Sequence, residues 1–290
     1  MKSAILITGA SRGFGRYLAL DFVSQLKAQS VDLHLWARDE SGLKETERLA
    51  LEMWEKEGSE GKLLCFSQSV DLSNSGEYTS KVEDLMRQLE KQRYDRVFLV
   101  HNAGSLGKLG LAQEVMSSAT ELTPYWELNV TSVMWLNNCF LRAFGASREE
   151  LSSPTFASDK VTQLVIVNIT SLCSIKPFKT HMLYCTGKAA REMHHRVIAT
   201  EQAAGNKVQV LQYSPGPMDT EMQRTIRESP NVDTELQTKF REMKANGELV
   251  PTAQSSLRCV KLAINGNFES GAHVDYCDHK VLSRFDSAKN

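Results

Sequence analysis

The first twenty residues constrain the chain more than any other stretch. Ser3-Ala-Ile-Leu-Ile-Thr8 is an apolar strand that runs directly into Gly9-Ala-Ser11-Arg12-Gly13-Phe14-Gly15, and an amphipathic helix follows. Glycines at a strand-to-helix turn let the backbone approach a pyrophosphate with no Cβ in the way. The free N–H groups at the helix start favour anions. The spacing is Gly-x3-Gly-x-Gly, not the Gly-x-Gly-x2-Gly of the usual dinucleotide fingerprint. Placed as the first βα turn, it predicts a doubly wound α/β fold that holds a nucleotide.

The second strand, Asp32-Leu-His-Leu-Trp36, decides which nucleotide. NAD sites place a carboxylate about 20 residues past the glycines to hold the ribose 2′-hydroxyl. Here the strand ends in Ala37-Arg38, with Asp39 and Glu40 only afterwards. Arg38, with Arg12 from the glycine turn, offers charge-assisted bonds to a 2′-phosphate, so NADP(H) is the expected cofactor.

A second signature lies at Ser171-x12-Tyr184-Cys-Thr-Gly-Lys188. Tyr184 and Lys188 are four residues apart, on one side of a predicted helix. An ammonium beside a phenol is expected to pull the tyrosine pKa down from about 10 toward working pH. That makes a proton donor suited to a forming alkoxide. Ser171 ends the apolar run Gln163-Leu-Val-Ile-Val-Asn-Ile-Thr170, read as a buried parallel strand, and its hydroxyl reaches the same centre. Tyr-x3-Lys alone is a common surface pair; the glycine turn is what gives it weight.

These residues resemble the short-chain dehydrogenase/reductase family along nearly the whole chain. The matching positions are Thr8 to Gly15, Asp71-Leu72, Asn102-Ala103-Gly104, Asn129, Ser171, Tyr184-x3-Lys188 and Pro215-Gly216. The resemblance implies a single Rossmann-like domain, a doubly wound parallel sheet with helices on both faces. It implies hydride delivery to a substrate carbonyl carbon, with Tyr184 as acid, Ser171 orienting the oxygen and Lys188 on the nicotinamide ribose. Asn129 matches the position that holds a water beside that lysine. The cofactor cradle would use Gly9, Ser11, Arg12, Gly13, Phe14 and Gly15, then Arg38 and Asp39, then Asp71 and Leu72 near the adenine. Asn102, Ala103, Gly104 and Lys188 would lie under the nicotinamide half, and Pro215, Met218, Asp219 and Thr220 would close over it. A homodimer through the Asn129 and Tyr184 helices is also implied.

A narrower resemblance is to the pterin-reducing branch of that family. It rests on Asn102 to Gly107, Asn168 to Cys173, Pro177-Phe-Lys179, Tyr184 to Arg191, Tyr213 to Thr220 and Ser270 to Asp275. It implies a pterin with one or two side-chain ketones, of the sepiapterin or 6-pyruvoyl-tetrahydropterin type, reduced in the last step toward tetrahydrobiopterin. Asp275 matches the pterin anchor, and a carboxylate accepts two parallel N–H bonds from an amino-pyrimidinone edge. Leu172 and Gly216 would line the same pocket. The chain departs from the pattern at His181-Met182, at His101 and in the 145–161 segment, so a broad NADPH carbonyl reductase of small ketones and diketones is an alternative. A non-catalytic NADP-binding sensor is a second; an intact Ser171, Tyr184 and Lys188 speaks against it.

The remaining features bound the rest. With 290 residues and a formal charge of −1, no basic stripe points to nucleic acid. There is no apolar run of about 18 residues for a membrane span. A strand starting at Ser3 leaves no room for a leader peptide. Cysteines at 65, 139, 173, 185, 259 and 277 contain no Cys-x2-Cys pair, which suits the reducing cytoplasm and gives no metal site. Cys173 and Cys185 read as small buried filler, and His194-His195 as a polar face or subunit contact. One long helix is expected over 121–144, an exposed loop over 145–161, a helical substrate flap over 218–250 and a charged tail over 279–290.

Overall fold

The computed structural model describes residues 1–56, 58, 60–152 and 162–278. Seven parallel strands form one sheet in the order β3-β2-β1-β4-β5-β6-β7: β1 Lys2–Thr8, β2 Ser30–Ala37, β3 Leu63–Ser69, β4 Arg96–His101, β5 Gln163–Ile169, β6 Val208–Ser214 and β7 His273–Asp275. The chain winds outward from β1 to β3, then returns to start β4 on the other side of β1. Each central strand is covered on both faces, which is why β1, β4 and β5 are nearly continuous Val, Ile, Leu and Phe rather than alternating. The register is staggered one-for-one, with Thr8 opposite Trp36 and Val100 opposite Ile7.

Helices fill both faces. One layer is α1 (Gly13–Gln25), α2 (Glu40–Lys56) and α10 (Thr252–Asn265), where Phe14, Leu18 and Phe22 meet Cys259 and Val260 over the sheet. The other is α3 (Ser75–Glu90), α5 (Ser132–Phe144) and α7 (Met182–Gln202), which bury Tyr78, Val82, Leu136, Phe140 and Ile198. Two short helices, α8 (Glu221–Glu228) and α9 (Thr234–Ala245), stand apart from both layers, over the 218–250 stretch expected to form a flap.

The expected single helix over 121–144 is broken. A 3-10 turn at Ala119–Leu122 leads into α4 (Thr123–Trp126), a π-helical turn at Glu127–Thr131 and only then α5. Pro124 fixes the start of α4. The wide turn follows from Asn129, whose Nδ2 donates to the Tyr125 carbonyl while its Oδ1 accepts the Ser105 N–H, each at 2.9 Å. π turns of this kind are rare and mark places where a side chain must be re-aimed. The expected loop over 145–161 contains a five-residue helix, α6 (Arg148–Ser152), because Ser147 and Glu150 cap one another. Residues 153–161 and the 279–290 tail lie outside the described residues.

Candidate active site

In a doubly wound sheet, ligands sit beyond the carboxyl ends of the strands where the winding reverses, here between β1 and β4. The two ends are stitched together. Thr8 Oγ1 donates to the Val100 carbonyl and accepts the N–H groups of Asn102 and Ala103 at 3.1 Å. Asn102 Nδ2 donates to the carbonyls of Thr8 and Gly9 at 3.0 Å. Asn102 is therefore a brace between the glycine turn and the β4 rim.

The glycine turn is built for close approach. Gly9 and Gly13 have φ of +69° and +54°, where a side chain would be strained. A Cβ on Gly15 would collide with the Gly9 carbonyl oxygen. Ser11 and Phe14 are buried behind the turn, while Arg12 and Arg38 are exposed at its rim. Arg16 is a structural arginine, donating to the carbonyls of Ser11 and Gly42 and to Thr46 Oγ1. Asp39 accepts Ser41 Oγ and the Gly42 N–H and so caps α2; those bonds hold its carboxyl below the usual range. Burial pushes Asp71 up, but the hydroxyl and N–H of Ser73, with Arg38 nearby, outweigh it and hold the carboxyl down; Leu72 beside it is buried. A cavity of about 310 Å³ extends from Arg38 and Ser73 past Ser105 to Tyr125 and Leu183. The turn's bare backbone, its positive-φ glycines and this cleft fit a dinucleotide.

Across the cleft, Ser171 caps a 3-10 turn (Leu172–Ser174). Its Oγ accepts the Cys173 N–H at 3.2 Å, which leaves the hydroxyl proton free to donate. The same hydroxyl favours the ionised form of the Tyr184 phenol, against the burial that raises it. Lys188 is 6% exposed; its Nζ donates to the Ile169 carbonyl at 2.6 Å and stands 5.7 Å from the Tyr184 ring centroid. Leu172 and Ile175 form an exposed apolar rim at this point. At the far side, Gly216 has φ +76° and would press a Cβ into Val250. Pro215 accepts Ser255 Oγ through its carbonyl. Asp275 accepts Ser214 Oγ at 2.7 Å and the Cys277 N–H at 2.8 Å, and is partly exposed at the end of β7. Met218 is buried and bridges to Val250, and Thr220 caps α8. Asp219 is exposed and ion-paired to Arg227 and Lys244, which ties α8 to α9. Asp233 at the head of α9 donates its N–H to Thr180 Oγ1 at 3.0 Å, docking the flap segment beside the start of α7.

Three expectations are corrected. Lys188 does not depress the Tyr184 phenol. Burial pushes the phenol up from its ordinary value, with the Cys173 thiol acting in the same direction, while Ser171 and the charge of Arg191 oppose it. The reason is that Lys188 points to Ile169, and its own charged form is disfavoured by burial and then by Arg191. Cys173 and Cys185 are half-buried rather than buried, and the two thiols act on one another, which pushes Cys173 up and Cys185 down. His195 is fully buried, not on a polar face. Its Nδ1 meets the Arg191 carbonyl at 2.7 Å, its Nε2 meets Asn137 Nδ2 at 3.1 Å, and Asn137 Oδ1 binds His101 Nε2 at 2.8 Å.

Sequence reasoning missed Tyr125, Arg191 and Glu192. Tyr125 donates its hydroxyl to the Leu183 carbonyl at 2.6 Å and lies against α7 at Gly187, where a Cβ would stand 2.5 Å from the phenol oxygen. Gly107 leaves room for the other edge of the same ring. The signal was those two glycines. Glu192 is 3% exposed and gathers Thr170 Oγ1 (2.5 Å), Ser174 Oγ (2.8 Å), His273 Nδ1 (2.9 Å) and Arg196 Nη2 (3.3 Å). It thereby fixes both flanks of Ser171, and β7, to the helix that carries Tyr184.

This fold and this cleft define an oxidoreductase that works on CH–OH and C=O groups with a nicotinamide dinucleotide. The family model for short chain dehydrogenase matches residues 3–231, and the chain belongs to the short-chain dehydrogenase/reductase family. It is 37% identical over 273 residues to sepiapterin reductase of Rattus norvegicus, covering 94% of this chain and 95% of that protein. It is 36% identical over 274 residues to the Meriones unguiculatus enzyme of the same name, covering 94% and 96%. A benzil reductase ((S)-benzoin forming) of Bacillus subtilis (strain 168) is 30% identical over 245 residues, covering 84% and 86%. Among solved structures, a short-chain dehydrogenase/reductase from Saccharomyces cerevisiae superposes with a TM-score of 0.74 at 22% identity, covering 97% of this chain and 98% of that one. That last likeness speaks to the fold.

Proposed function

We propose that this protein reduces a side-chain ketone of a pterin, of the sepiapterin or 6-pyruvoyl-tetrahydropterin type, in the last step toward tetrahydrobiopterin. NADPH is the reductant, and when bound it supplies the hydride for the carbonyl carbon. Arg12 and Arg38, exposed at the tips of the first two βα turns, support NADPH over NADH. Gly9, Gly13, Gly15, Asp71, Leu72, Asn102, Ala103 and Gly104 would form the floor of the cofactor cleft, with Pro215, Met218 and Thr220 at its far wall.

The observation that carries the reading is the meeting of Ser171, Tyr184 and Lys188 at one strand rim. Tyr184 gives its proton to the carbonyl oxygen as the alcohol forms. Ser171, whose acceptor capacity is partly used by the Cys173 N–H, donates to that oxygen and orients it. Lys188 holds the Ile169 rim and the ribose, and Asn129 links the π turn to Ser105 beside it. Asp275 keeps a free lone pair on each oxygen for the amino-pyrimidinone edge of a pterin. The helices α8 and α9 would cover the substrate.

The exposed apolar side chains Met134, Met193 and Val197 on α5 and α7 support a homodimer through that face. Unpaired cysteines at all six positions support a cytoplasmic setting. Among the described residues no helix is long and apolar enough to cross a membrane.

One observation favours a second reading, a broad carbonyl reductase: the apolar rim of Leu172 and Ile175 would suit a hydrophobic diketone, and a benzil reductase is among the relatives. NADPH oxidation with sepiapterin and with benzil separates the two. The pterin reading expects kcat/KM for sepiapterin at least about tenfold higher. Equal or inverted values contradict it.

A further inference from the structure

Arg191 is 1% exposed, and no carboxylate answers it among the described residues. Nε donates to Asn168 Oδ1 at 3.0 Å, Nη1 to the Ala103 carbonyl at 3.0 Å and Nη2 to the His101 carbonyl at 2.7 Å. Its sequence neighbour Glu192 is committed to Thr170, Ser174, His273 and Arg196. A dehydrated guanidinium met only by neutral acceptors is costly to bury, so its contribution has to be sought elsewhere than in stability.

Its surroundings indicate where. Tyr184, Lys188 and Arg191 stand at i, i+4 and i+7 on α7 and form one stripe along the helix. The stripe meets the β4 rim at Gly104, where a Cβ would lie 3.3 Å from Asn129 Oδ1, 3.8 Å from Arg191 Nη1 and 4.0 Å from Lys188 Nζ. Burial pushes Arg191 itself down to about 10, and burial, then the charge of Arg191, pushes His101 on β4 down to about 3. Burial, then His101, holds His195 on α7 well below its ordinary value. The neighbouring imidazoles therefore add no charge of their own, and what sets Arg191 apart is where its three hydrogen bonds go.

We propose that Arg191 is a positioning residue for this reaction: its fork fixes the 101–104 floor, on which the nicotinamide half of the cofactor would lie, to the helix that carries Tyr184 and Lys188. The inference rests on the reading of Tyr184 as the proton donor.

Arg191→Met and Arg191→Lys test it, with kcat and KM for NADPH-dependent sepiapterin reduction, NADPH affinity by fluorescence and the melting temperature measured on each. In the Met variant kcat falls about 10- to 100-fold and the Kd for NADPH rises about tenfold, because the floor and the Tyr184 helix lose register. KM for sepiapterin stays within about threefold, since the proposed pterin anchor Asp275 lies on β7, away from both. In the Lys variant, which keeps a cationic donor for the same carbonyls, part of the turnover and of the affinity returns. A folded Met variant that keeps kcat and NADPH affinity within about twofold of wild type, or one whose sepiapterin KM rises as much as its kcat falls, overturns the proposal. Should the Met variant fail to fold, the Lys variant decides: a fall in kcat and NADPH affinity with sepiapterin KM unmoved supports the proposal, wild-type values of both overturn it. Failure of the underlying reading is seen separately, as a Tyr184→Phe variant that still turns over.

Discussion

Lys188 Nζ donates to the carbonyl oxygen of Ile169, two residues ahead of Ser171, at 2.6 Å. That bond ties α7 to the end of β5, so the helix residue Tyr184 and the strand-end residue Ser171 hold a fixed separation. The order of the strands supplies the cleft, the glycine turn supplies its floor, and this tether sets the spacing of the groups across it.

Arg38→Ala should raise the Kd for NADPH about 10- to 100-fold and leave that for NADH within about twofold, because a charge-assisted contact to the 2′-phosphate is worth about 1.5–3 kcal/mol. Titration of both cofactors by fluorescence is the check. An equal loss for both would mean that Arg38 does not read the phosphate.

Asp275→Ala should raise KM for sepiapterin about tenfold or more and leave KM for a simple diketone nearly unchanged, since only the pterin offers paired N–H donors to a carboxylate. Parallel steady-state kinetics on the two substrates separate anchoring from general damage near β7.

Glu192→Ala should destabilise the protein by about 2–4 kcal/mol, because it removes the buried acceptor that Thr170, Ser174 and His273 share and leaves His273 Nδ1 without a partner. Burial alone would push the Glu192 carboxyl up, but its hydrogen bonds outweigh this and hold it below its ordinary 4.5. A depressed folded-state value stabilises above the unfolded value and loses that stabilisation as the pH falls through the folded one. Wild type should therefore lose this contribution progressively below about pH 4.5, whereas Glu192→Gln should melt with a flatter acid dependence. Thermal melts of both from about pH 3 to about pH 7 read the difference.

Gly15→Ala should cost about 1–3 kcal/mol and abolish measurable NADPH binding, since the new methyl meets the Gly9 backbone oxygen and backbone cannot step aside. Melting temperature and cofactor titration are the two readouts. A variant that folds and binds normally would show that the turn is looser than this geometry.

Much of this was legible in the chain because it is local. Val97-Phe-Leu-Val100 can only be a strand covered on both faces, and Gly9 to Gly15 can only be a tight strand-to-helix turn. The site residues at strand ends followed, since strand ends are where such folds bind. What escaped depends on packing between distant segments. The π turn at Glu127–Thr131 exists because Asn129 reaches Ser105, 24 positions away. The direction of the Lys188 ammonium depends on the Ile169 carbonyl, 19 positions away, and no spacing rule within α7 contains it. Nothing in the sequence sets Arg191 apart from other helix cations; its burial is visible only once His101, Ala103 and Asn168 surround it.

The central claim is that Tyr184 delivers the proton that accompanies hydride transfer. Turnover of sepiapterin by Tyr184→Phe, with NADPH affinity measured on the same preparation, tests it most directly. The account predicts a fall of about 10²- to 10⁴-fold in kcat with NADPH binding unchanged. Retention of more than about a tenth of wild-type turnover would contradict it.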